Sequence, residues 1–119
     1  MSRTALAILA LCALLLAACG EPLPQQKSEY AGDWRGERMR LVITPDGRCE
    51  YERQKAGGSS ARISAPIQRF EGDNFVVGVG PFTTTFVVAK VPHIADGKWK
   101  MVVDGVELTR VGAPGEVRT

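Results

Sequence analysis

Two hydrophobic patterns divide the chain. From Ala5 to Ala18 every residue is apolar, behind a short Met1-Ser2-Arg3 start with one positive charge. As a helix that run is about 21 Å long, short of the ~30 Å hydrocarbon core of a bilayer. It therefore reads as the hydrophobic region of a signal-peptide helix over 1–18, not as a spanning segment. From Tyr30 onward the period changes to two, the spacing of half-buried strands. Met39, Leu41 and Ile43 alternate with Arg38, Arg40 and Val42, and Cys49, Tyr51 and Arg53 alternate with Arg48, Glu50 and Glu52.

Turn chemistry punctuates this alternation. Thr44-Pro45-Asp46-Gly47 separates the second strand from the third, with Pro setting φ and Gly taking the left-handed position. Gly57-Gly58-Ser59-Ser60 leads into Ile63, Ala65 and Ile67, where Pro66 predicts an edge or bulged strand. Glu71-Gly72-Asp73 precedes Phe75-Val76-Val77, and Gly78-Val79-Gly80-Pro81 precedes a strand over 83–91. A loop at 92–97 leads to Trp99–Val103. Asp104-Gly105, two residues between Val103 and Val106, is the strongest hairpin signal and predicts a type I′ turn. With a first strand near Tyr30–Arg35, the chain reads as all-β. It is an antiparallel meander of about eight strands over 30–111, folded as a small barrel or sandwich.

Length and charge narrow the picture. A chain of 119 residues holds one domain. Fifteen Lys and Arg against thirteen Asp and Glu leave no concentrated basic charge for nucleic acid. Residues 19–29 contain two prolines and no apolar period, so they read as a flexible tether, and 112–119 as a disordered tail.

Leu16-Ala17-Ala18-Cys19-Gly20, at the end of the apolar run, resembles a bacterial lipobox. The resemblance implies a lipoprotein cleaved before Cys19, with diacylglycerol on its thiol and an acyl chain such as palmitate on its new amine. Gly20, where enterobacterial lipoproteins kept in the inner membrane carry Asp, implies the outer membrane, facing the periplasm. Such acylation exceeds the two-signal threshold for stable anchoring. Of the three cysteines, Cys12 then leaves with the signal peptide, Cys19 carries lipid and Cys49 is left alone. No disulfide can form within the mature chain.

The β region resembles the lipocalin-like (calycin) barrels. Gly32-Asp33-Trp34 matches their Gly-x-Trp on the first strand, and Arg110 matches the basic residue of their last. The resemblance implies that Trp34 and Arg110 pack together and close one end, a cation–π contact worth roughly 0.5–2 kcal/mol.

No residue set points to catalysis. His93 is expected in a loop without a marked nucleophile or orienting group, and Cys49 on a core face as an inert thiol. Glu50 and Glu52 share an outward face with Arg48, while Asp46, Asp73, Asp96 and Asp104 each belong to a turn. The chain is therefore expected not to be an enzyme and to need no metal or cofactor. Two residue sets point to binding. Met39, Leu41, Tyr51, Phe75, Phe86, Trp99 and Met101 form an inner set that fills a barrel or lines an apolar cavity. Val76, Val87, Ala89 and Val102 have the opposite parity, where alternation calls for polar residues. They are either covered in a sandwich or exposed to a partner, with Thr83, Thr85, Lys98 and Lys100 as a polar rim. The expected function is a lipid-anchored envelope module that docks another protein. The alternative is a lipocalin-like carrier of a small apolar ligand, and a lysozyme inhibitor of the envelope is a third.

Overall fold

The computed structural model describes residues 21–113. The expected signal peptide (1–18), the lipid-attachment residue Cys19 and the tail beyond Ala113 lie outside the described residues. A 3-10 helix (Gln25–Tyr30) precedes nine strands: β1 (Gly32–Gly36), β2 (Met39–Ile43), β3 (Arg48–Gln54), β4 (Ser60–Glu71), β5 (Asn74–Val79), β6 (Phe82–Phe86), β7 (Val88–Ala95), β8 (Lys98–Val103) and β9 (Val106–Gly112). All belong to one antiparallel sheet in the order β6-β5-β4-β3-β2-β1-β9-β8-β7. Every neighbouring pair except β1–β9 is consecutive in the chain, so the fold is an all-β meander. The strands at its two ends, β6 and β7, are joined by Val87 alone. A one-residue link between opposite sheet edges forces the sheet to curl on itself.

Three hydrogen bonds hold the corner where the edges meet. The Val87 amide donates to Asp104 Oδ1 (2.8 Å), and the Asp104 amide donates back to the Val87 carbonyl (2.8 Å). The Val88 amide donates to Asn74 Oδ1 (2.8 Å). Beyond the corner the edges diverge, because β6 pairs only with β5 and β7 only with β8. The curled sheet is therefore an incompletely closed barrel.

Strand pleat explains the core. Trp34, Met39, Leu41, Ile43, Cys49, Tyr51, Ile67, Phe75, Val77, Phe86, Val88, Met101, Val103 and Leu108 form one buried cluster. Period two places these residues on the concave face. Phe75 stacks on Phe86 at 5.0 Å between ring centroids, and Tyr51 meets Phe86 edge-on at 5.0 Å.

Several local expectations are corrected. The strand expected over 83–91 keeps its alternation through Val87, with Phe86 and Val88 both inward. It changes hydrogen-bonding partner there, and so divides into two and makes nine strands. Of the two readings of Pro66, the edge fails and the bulged strand holds. Strand β4 is interior, pairing with β3 through Ser60–Pro66 and with β5 from Ile67 onward. Pro66 stands where the partner changes, beside a bulge between Ile67 and Arg69. The loop expected at 92–97 is strand to Ala95, so His93 lies in β7. Asp96 (φ 55°) and Gly97 (φ 74°) make the turn, the same positive-φ pair as Asp104 (φ 48°) and Gly105 (φ 79°). The latter pair has the type I′ signs expected for it.

The segment expected to be a flexible tether is folded onto the barrel from Glu21. The Leu23 amide donates to the Pro45 carbonyl (3.0 Å), and Leu23 packs on the core. A Cβ on Gly47 would fall 1.9 Å from the Glu21 carbonyl oxygen, so only glycine admits this approach. Tyr30 then plugs the barrel. It is buried, meets Phe70 edge-on at 5.3 Å, and donates its hydroxyl to the Asp73 carbonyl (2.8 Å). Burial, helped by the charge of Asp73, pushes its pKa up to about 12. Lys27 donates to the Gly72 carbonyl (2.9 Å) and lies 3.6 Å from the Asp73 carboxylate. Prolines and polar residues hid this segment, because backbone bonds, half-buried Leu23 and buried Tyr30 hold it without any apolar period.

Candidate functional site

Of the inner set, Met39, Leu41, Tyr51, Phe75, Phe86 and Met101 are buried and Trp99 is half-buried. Tyr51 also borders an open basin described below, and Met39 a smaller hollow beside Arg35, Arg38 and Glu52. Tyr51, Phe75 and Phe86 fill the interior with mutual ring contacts. Trp34 and Arg110 come together, as β1 pairs with β9 at these two residues. The Arg110 guanidinium carbon stands 5.8 Å from the Trp34 ring centroid and 4.9 Å from that of Trp99. The Trp34 indole N–H donates to the Tyr30 carbonyl (2.9 Å), tying this end to the plug. Gly32 makes room for the arrangement, since a Cβ there would lie 2.5 Å from Arg110 Cδ.

The opposite-parity set does not form one exposed patch. Val76 is buried and Val102 half-buried, while Val87 and Ala89 are exposed. The exposed large apolar side chains are instead Val79, Phe82, Val87, Val91 and Ile94, among the described residues. Val91 and Ile94 belong to β7, where Lys90, Pro92 and two register shifts interrupt the outer edge. These are devices that discourage edge pairing. His93 there makes a 2.8 Å hydrogen bond between its Nδ1 and the Val91 carbonyl.

The β6 edge is different. Phe82, Thr83, Thr84 and Thr85 are exposed, and the strand has neither proline, charge nor register shift. No ionisable side chain occurs between Asp73 and Lys90. Beside this edge opens a basin of about 930 Å³, where Thr84 faces Gly105, Val106 and Glu107. Tyr51, Ala61, Ile63 and Val106 give it an apolar floor, and Arg38, Arg53 and Lys55 with Glu37 and Glu107 give it a charged rim. Of the basin lining, only Tyr51 was among the residues expected from the sequence to line a cavity. The one further signal was Thr83-Thr84-Thr85 in an uncharged stretch, but the basin depends on where the barrel fails to close.

On the convex side, Asp33 is buried beneath two arginines. Its carboxylate receives Arg40 at 3.2 Å and Arg35 at 3.4 Å. Burial works to raise its pKa, but hydrogen bonds and charge from Arg40 and Arg35 outweigh it and hold it below the usual carboxylate range. This closed ion cluster is satisfied by its own members. The buried Cys49 thiol has its pKa pushed up to about 12 by desolvation, with a smaller contribution from Glu50. It is thus protonated and a poor nucleophile at neutral pH. Among the described residues, no three His, Cys, Asp or Glu side chains gather as metal ligands. Among the same residues, no helix is long and apolar enough to cross a membrane. The chain matches no known family, no curated protein and no solved structure.

Proposed function

We propose that this is a lipid-anchored protein of the bacterial cell envelope, held through Cys19 at the outer membrane and facing the periplasm. There it docks a protein partner by adding an extended segment of that partner to β6. The observation that carries this reading is the unpaired, uncharged β6 edge opening on a basin with an apolar floor. Main-chain groups along such an edge offer affinity to any strand, and a neighbouring pocket that takes alternate side chains adds selectivity. Arg38, Arg53 and Lys55 at the rim favour a partner segment carrying acidic residues.

The test is a photocrosslinker placed at Thr84 in intact cells. A discrete protein adduct that disappears when Thr83→Lys blunts the edge supports the reading. The same adducts with and without that substitution sink it.

A second reading, a carrier of a small apolar ligand, is favoured by the same basin, whose volume lies within the ~300–1,000 Å³ range of ligand pockets. A native mass spectrum of the purified protein separates the two. A retained small molecule, released by Ile63→Arg, favours the carrier.

A further inference from the structure

The most exposed apolar group described is the tip of the β5–β6 hairpin. Val79 and Phe82 pair across it with exposures of 64% and 83%, and Gly80 and Pro81 between them are exposed. Both belong by parity to the concave face, in line with buried Phe75, Val77 and Phe86. They run past the end of the packed core, so their exposure comes from strand length and not from a failed pattern. Gly78 makes the tip sharp, since a Cβ there would meet the Phe82 carbonyl oxygen at 2.0 Å.

A second observation says what faces this tip. Glu21–Pro24 and Ile67–Phe70 of β4 line a shared open hollow of about 240 Å³. Gln68, in the same hollow, donates its side-chain amide to the Gly80 carbonyl (3.1 Å). Gln68 therefore borders the hollow shared with the start of the folded chain and also holds the tip, which places the two on the same side of the barrel. Only Gly20 separates Glu21 from Cys19, so the two Cα atoms can be at most about 7 Å apart. A lipid on Cys19 would hold this side of the barrel at the headgroups instead of letting it range on a long tether.

We propose that the β5–β6 tip is a membrane contact, with Val79 and Phe82 entering the interface of the bilayer that holds the anchor. This rests on the reading of Cys19 as lipidated. The occupant is a lipid surface because the tip is apolar, carries no charge to desolvate, and lies beside the attachment point. The arrangement fixes the orientation of the barrel. The tip and Glu21 face the membrane, and the Thr83–Phe86 edge rises from it.

The test uses the full acylated protein in vesicles of phosphatidylethanolamine and phosphatidylglycerol, with and without acyl-brominated lipid. A Phe82→Trp variant is compared with an Ile94→Trp variant, each corrected for the emission of the wild type. The mass of the Cys19 peptide is measured on the same sample. An acylated Cys19 with bromolipid quenching at position 82 and none at position 94 supports the contact. An acylated Cys19 with equal emission at both positions overturns the contact and leaves the anchor standing. An unmodified Cys19 overturns the anchor and the contact with it.

Discussion

Replacing Phe86 with alanine separates a filled barrel from one with room inside. Phe86 is 1% exposed, stacked on Phe75 and struck edge-on by Tyr51, both at 5.0 Å. Truncating a fully buried phenylalanine costs about 3–5 kcal/mol through lost transfer free energy and the cavity left behind. Each aromatic contact adds about 0.5–1.5 kcal/mol, partly counted in that range already. The expected loss is therefore about 4–5 kcal/mol, from a total of roughly 5–10 kcal/mol for a domain of this size. Urea denaturation followed by far-ultraviolet circular dichroism reads it as a lower midpoint with unchanged slope. If Phe86→Ala does not fold, Phe86→Leu gives the milder measurement, about 1–1.5 kcal/mol. A loss below about 1 kcal/mol for the alanine variant would mean that Phe86 borders open space, and the packing argument would fail.

Asp33→Asn should cost about 1–2 kcal/mol at neutral pH, discounted because both arginines are half exposed to solvent. The folded carboxyl titrates below its unfolded value of about 3.9, so its stabilisation is present above that pH and is lost as pH falls through the folded value. Denaturation curves of the two proteins should accordingly converge on acidification, and a constant gap would refute the ion cluster as its cause. Arg110→Met should lower stability by about 0.5–2 kcal/mol and change the near-ultraviolet dichroism of Trp34 and Trp99; an unchanged spectrum would contradict the stacking. Gly47→Ala should lift Glu21–Pro24 from the barrel, seen as faster trypsin cleavage after Lys27. Cys49 should resist thiol reagents in the folded protein and react fully in denaturant, whereas fast reaction under native conditions would place it outside the core.

The alternation that placed Met39, Leu41, Tyr51, Phe75, Phe86 and Met101 inside was legible because the strand period depends only on the pleat. So was the Asp104-Gly105 turn, whose two positive φ angles suit those residue types. Asp96-Gly97 carries the same chemistry, but Pro92 and His93 before it read as loop, and only pairing with β8 makes them strand. The burial of Val76 runs against simple alternation, while Val79 and Phe82 keep their parity and reach past the packed core. Both outcomes depend on where the curled sheet ends, a property of the whole fold. The same holds for the basin, whose floor comes from β3, β4 and β9. The ordered Glu21–Tyr30 segment was illegible for a different reason. Its stability comes from a close approach at Gly47 and from one plugging tyrosine, neither of which leaves a periodic trace.

Docking at β6 is tested most directly by amide hydrogen exchange over Phe82–Phe86, compared between intact envelopes and the purified protein. Pairing with a partner strand predicts slower exchange in this segment in the envelope, with β8 and β9 unchanged and the difference abolished by Thr83→Lys. Equal exchange in the two settings would contradict the account.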